Sequence, residues 1–198
     1  MFWNNVAGIY ETFEMTLNKK ATLGASDYVG ELIEKEDEVL ECACGTGIFS
    51  RKIAPRCKRL TATDLAPRML DKARDNCKSF DNIIFEEAYI MDLKYEDNSF
   101  DKVVAANVIH LVSDSSKAIA EFKRVLKPGG LLIIPTYVQK KSSGKLVITI
   151  LNKLGADFKE TLTADTYEDF IKSKGFTDFD IRTIDGPMPC AVAKIRPK

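Results

Sequence analysis

The chain has 198 residues, room for one domain with little left for a second core. A hydrophobic fraction of 45% excludes a disordered chain, and 29 basic against 29 acidic side chains leave no cationic surplus for phosphate backbones, so no nucleic-acid partner is expected. No apolar stretch approaches the roughly 20 residues of a membrane span, the first residues do not read as a secretory leader, and five scattered cysteines (Cys42, Cys44, Cys57, Cys77, Cys190) argue against a disulfide framework, so a cytoplasmic location is expected.

Apolar blocks then alternate with amphipathic ones, the pattern of repeated βα units and a mainly parallel sheet. The first strand is predicted at 38–43, followed by a helix at 47–54. A strand at 59–63 leads into a helix through 67–74, with Asp64 placed to cap it and Pro67 suited to its first turn. The third strand, 82–87, enters a loop ending near Ser99, and strand four follows at 100–106. A helix at 115–126 puts Ile119, Phe122, Val125 and Leu126 on one face; Lys127-Pro128-Gly129-Gly130 then turns the chain into strand five at 131–137. A polar loop at 139–144 precedes helices at 145–154 and 164–174, the second closed by Gly175. Two closing strands, 176–183 and 189–195, flank Asp185-Gly186, so they form a hairpin and one of them runs antiparallel.

The stretch Val39-Leu40-Glu41-Cys42-Ala43-Cys44-Gly45-Thr46-Gly47 carries the strongest functional signal. An apolar strand ends in an acidic residue and enters a glycine turn, whose bare backbone admits a close ligand, here a nucleoside-bearing cofactor. Asp64 stands 17 residues after Gly47 at the end of the second strand, where a carboxylate can accept bonds from both ribose hydroxyls. Asn107 and Val108 follow the fourth strand, and open α/β sheets bind ligands beyond the carboxyl ends of their strands. His110, the only histidine, is the candidate general base, although a lone histidine is more often structural. Cys42 and Cys44 point to opposite faces and lack further ligands at zinc spacing, so packing is the expected role and no metal site is expected.

Taken in this order, the chain resembles the class I S-adenosylmethionine (SAM)-dependent methyltransferases, and within them the type 11 methyltransferase domain of the ubiquinone and menaquinone biosynthesis branch. The resemblance is close over about residues 37–137. Glu41-Cys42-Ala43-Cys44-Gly45-Thr46-Gly47 is similar to the family's D/E-x-G-x-G-x-G, with Ala43 in a glycine place, tolerable there if its φ is negative. Glu87-Ala88-Tyr89-Ile90 through Phe100-Asp101 is similar to G-D-A-x-x-L-P-F-x-D-x-S-F-D, with Tyr89 where an aspartate commonly holds the adenine amino group. Arg124 to Gly130 matches R-x-L-K-P-G-G, and Trp3 to Tyr10 resembles the family's lead-in.

The resemblance implies a Rossmann-like, doubly wound, seven-stranded and mostly parallel sheet between two helical layers, ending in an antiparallel hairpin strand. It implies SAM as cofactor and S-adenosylhomocysteine as product. The contacts it implies are Tyr10, Glu41, Cys42, Ala43, Gly45, Gly47, Asp64, Leu65, Met69, Ala88, Tyr89, Ile90, Asn107 and Val108. Glu41 would face the methionine ammonium, Asp64 the ribose, and Leu65, Met69, Tyr89 and Ile90 the adenine. A single domain over 1–198 is expected, with residues 1–24 as a cover segment and 138–165 as an acceptor-side insertion. The expected partner is a small-molecule methyl acceptor, bound by a monomer or homodimer. A non-catalytic SAM-binding regulator and an NAD-dependent oxidoreductase are the rival readings.

Overall fold

The computed structural model describes Thr12, residues 15–139 and residues 162–197. The helix expected at 145–154, Tyr10 and most of both flanking segments lie outside the described residues. Seven strands form one sheet in the order β3-β2-β1-β4-β5-β7-β6. They are β1 (Glu38–Cys42), β2 (Arg59–Asp64), β3 (Ile83–Glu87), β4 (Phe100–Ala105), β5 (Leu126–Tyr137), β6 (Phe179–Ile184) and β7 (Cys190–Ile195). Strands β3 to β5 pair in parallel, while β7 runs antiparallel to both β5 and β6, as the closing hairpin requires.

Strand alternation divides the core. Leu40, Cys42, Val103, Ala105, Leu132 and Ile134 face one side, against α4 (Ser115–Val125) and α5 (Ala164–Ser173). Val39, Leu60, Ala62, Val104 and Ile133 face the other, against α1 (Lys19–Glu31), α2 (Ser50–Ile53) and α3 (Pro67–Asn76). Cys42 and Cys44 belong to opposite cores, and no group of three metal-ligating side chains occurs among the described residues.

Four local features differ from the sequence expectation. The helix after the glycine loop starts at Ser50 rather than residue 47, because Gly45 at φ 56° and Gly47 at φ 83° hold a left-handed backbone no α-helix contains. Asp64 does not cap α3: Ala66 occupies that position without a side-chain cap, and Asp64 Oδ1 accepts the Ala66 N–H instead. Strand β5 begins directly at Leu126, with Lys127–Gly130 as a bulge between the pairs Phe100–Leu126 and Lys102–Leu131. Helix α1, which contains Gly24 and Gly30, was not among the expected elements. Both are packing residues: a Cβ on Gly24 would lie 2.7 Å from Ile184 Cγ2, and one on Gly30 2.9 Å from the Lys52 carbonyl.

Candidate active site

The sheet order reverses between β1 and β4, which leaves a crevice beyond their carboxyl ends, Cys42 and Ala105. The crevice opens into a cavity of about 280 Å³ lined by fourteen residues from four loops. Ten of the fourteen residues expected to hold the cofactor line it: Ala43, Gly45, Asp64, Leu65, Met69, Ala88, Tyr89, Ile90, Asn107 and Val108. The sequence reading missed Met91, Leu111 and Val112, which line it as well, as does Ala106. Met91 directly follows Ile90, and Leu111 and Val112 follow His110, in the loops beyond β3 and β4; that adjacency was the available signal.

The loop after β1 is built around Asp64. Its Oδ2 accepts the Gly45 N–H at 2.9 Å and its Oδ1 the Ala66 N–H at 2.9 Å, so one carboxylate fixes both loops that border the cleft. Burial pushes its pKa up, and the hydrogen bonds from Ala66 and Gly45 oppose that shift. A Cβ on Gly45 would meet nothing within 4 Å, so that backbone faces open space. Gly47 serves packing: its Cβ would come within 3.0 Å of Cys77 Sγ on the side of α3, and it does not line the cavity. Cys42 is fully buried in the core and does not line it either.

Ala43 overturns one expectation. Its φ is +55°, so alanine here occupies the left-handed region that favours glycine, instead of the negative φ that would have made it harmless.

Glu41, 1% exposed, borders a smaller adjoining cavity of about 30 Å³ together with Ala43, Gly45, Thr46 and Asn107. Its Oε2 accepts the Ser50 hydroxyl at 2.6 Å. Burial first, and then the nearby Asp64 charge, raise its pKa to about 8 despite that bond, so the free protein holds Glu41 largely protonated at neutral pH. The Thr46 hydroxyl in the same wall is buried without a hydrogen-bond partner. A buried acid and an unsatisfied hydroxyl thus border a space the size of one small polar group.

Asn107 closes the other side at φ +53°; its N–H donates to Pro135 O and its Oδ1 accepts the Tyr137 N–H. The side chain thus ties β4 to the end of β5. The Tyr137 hydroxyl in turn bonds Thr22 of α1 at 2.7 Å. His110 does not line the cavity, and burial pushes its pKa down to about 4.

A doubly wound sheet of this order, with a glycine loop on its first strand and a ribose-spaced carboxylate on its second, defines the class I SAM-dependent methyltransferase architecture. Residues 40–134 match the methyltransferase-domain family. Among similar proteins, a demethylmenaquinone methyltransferase of Tropheryma whipplei is 38% identical over 98 residues, covering 50% of this chain and 41% of the relative. A malonyl-[acyl-carrier protein] O-methyltransferase of Serratia marcescens is 37% identical over 100 residues, covering 50% of this chain and 38% of the relative. The match thus spans about two fifths of those relatives' own length. In fold, the chain is similar to a SAM-dependent methyltransferase of Thermotoga maritima described as a possible histamine N-methyltransferase, with TM-score 0.77, 19% identity and 99% of both chains covered.

Proposed function

We propose that this protein is an enzyme that transfers the methyl group of SAM to a small-molecule acceptor. The observation that carries the reading is a single cleft where Gly45, Asp64 and Asn107 meet at the carboxyl ends of three strands, polar at the loop and apolar beyond. When bound, SAM supplies an electrophilic methyl on a cationic sulfur, so the protein's tasks are binding, alignment and exclusion of water.

Glu41 and Thr46 receive the ammonium, and Glu41 loses its proton as the cation arrives. The two Asp64 oxygens accept the Gly45 and Ala66 N–H groups, one each, and keep acceptor capacity for the ribose hydroxyls. Leu65, Met69, Ala88, Tyr89, Ile90 and Met91 form the adenine walls, with Leu111 and Val112 opposite. Ala43 and Gly45 offer backbone beneath the ligand, Cys42 and Gly47 support that loop from behind, and Asn107 and Val108 border the reacting end. Tyr10 belongs to the proposed cover, within a single domain over 1–198 in which 138–165 shapes the acceptor side. His110 is a packing group in this reading, since an imidazole with a pKa near 4 is a poor proton acceptor at neutral pH.

The name of one relative, a demethylmenaquinone methyltransferase, supports a small-molecule acceptor, and that of the other, a malonyl-[acyl-carrier protein] O-methyltransferase, supports a small acyl group as the methylated part. The balanced charge supports the absence of a nucleic-acid partner, and a cytoplasmic monomer or homodimer completes the reading. Titration calorimetry with SAM and with NAD tests it: binding of NAD without SAM rejects it in favour of an oxidoreductase. Transfer of labelled methyl to a panel of quinols, catechols, amines and thiols separates the enzyme from a regulator, which would bind SAM and methylate none of them.

A further inference from the structure

The apolar end of the cleft borders a second cavity at Tyr89. Leu65, Ala88 and Tyr89 line the 280 Å³ cavity on one side and, on the other, a second cavity of about 470 Å³ bordered by Glu86, Glu87, Asp92, Lys94 and Tyr95. Among the described residues, Leu65 at 39% and Tyr89 at 44% are two of the four large apolar side chains that remain exposed, and both stand at this junction. Exposed apolar groups at the rim of a pocket mark ligand contact more often than idle surface. The Tyr89 hydroxyl donates to the Met91 sulfur at 3.9 Å, which holds the end of the ring beside another residue of the inner cavity's lining. No carboxylate stands at the base end of the inner cavity itself: past Asp64 its lining is Leu65, Met69, Tyr89, Ile90, Met91, Leu111 and Val112.

On the reading in which Asp64 holds the ribose, the base lies in this apolar end with its outer edge toward the Leu65–Tyr89 boundary of the second cavity. We propose that Tyr89 determines base-edge specificity, and that the cleft accepts adenosyl ligands carrying an apolar substituent on the exocyclic amine. The substituent lies over the Tyr89 ring and enters the outer cavity. Three carboxylates against one lysine border that cavity, so the substituent is neutral or cationic and an anionic one is repelled. The inference rests on the SAM-binding reading above and adds to it a tolerance which a carboxylate at position 89 would remove.

The test is titration calorimetry with three probes: S-adenosylhomocysteine, its N6-benzyl derivative and its N6-carboxyethyl derivative. The first two are expected to bind within about threefold of each other and the third at least tenfold more weakly. Tyr89→Asp, at an exposed position where folding is checked by thermal unfolding, is expected to favour S-adenosylhomocysteine over the N6-benzyl form by at least tenfold. Wild-type protein that binds S-adenosylhomocysteine but weakens more than tenfold for N6-benzyl overturns the inference and leaves the function standing. Failure of all three probes to bind overturns both. Equal response of Tyr89→Asp to the first two probes removes Tyr89 from the role.

Discussion

At the scale of single residues, Ala43 and Glu41 are where this chain departs most from an unstrained interior. A left-handed alanine costs roughly 1–2 kcal/mol, and glycine's larger freedom in the unfolded chain returns part of that. Ala43→Gly is therefore expected to stabilise the protein by about 0.5 kcal/mol, read as a higher urea midpoint at unchanged slope. Glu41 makes stability depend on pH. Its carboxyl titrates near 4.5 unfolded and near 8 folded, so between those values the folded state keeps a proton that the unfolded state has lost. Its contribution is fully present below 4.5 and is lost as pH rises to about 8. Glu41→Gln removes this loss: near pH 5 the variant should match the parent, and near pH 8 it should gain on the order of a few kcal/mol. A difference in unfolding free energy that does not grow with pH would place the titration elsewhere. The same variant should bind SAM more weakly, since the amide cannot become the ammonium's counter-charge.

At the scale of elements, α1 shows why glycine has to be read with its surroundings. In an exposed helix, Gly→Ala gains about 1 kcal/mol. At Gly30 the added methyl would lie 2.9 Å from the Lys52 carbonyl and 3.1 Å from Arg56 Nη1, so overpacking of about 1–3 kcal/mol reverses the sign. Gly30→Ala is expected to lower the thermal midpoint by a few degrees. The seven strands and the helices at 67–76, 115–125 and 164–173 were legible because period and breakers agreed in each. Helix α1 was hidden by the small residues its close packing demands. The site was legible along the strand ends, where Gly45, Asp64 and Asn107 keep their spacing. It was illegible where one backbone angle or one hydrogen bond decides the role: Ala43 gives no sign of its φ, and Asp64 gives no sign that it holds Gly45.

At the scale of the whole molecule, the two cavities beneath the reversal in strand order divide the work between charge and shape. In the small one burial keeps a proton on Glu41, and if the proposed ammonium displaces it, binding near pH 7 should release close to one proton. Calorimetry in buffers of different ionisation enthalpy measures this directly: heats that do not vary with buffer would show that Glu41 keeps its proton. The large one sorts ligands by outline, and its walls come from loops after β1, β2, β3 and β4, so no two-strand fragment reproduces it.

The antiparallel strand has a consequence for how the chain assembles. Strand β7 follows β6 in sequence yet lies between β5 and β6, pairing Leu132 to Tyr137 on one side and Phe179 to Ile184 on the other. During synthesis, the parallel half can assemble as its strands emerge, while β6 has no neighbour to join until residues 190–195 arrive. Until then the hydrogen-bonding edge of β5, with Leu132, Ile133 and Ile134 along it, stands open to any extended segment nearby. Residues far from the cleft therefore act as a keystone, and a change that slows the insertion of β7 would be felt as aggregation of the nascent protein before it was felt as lost chemistry.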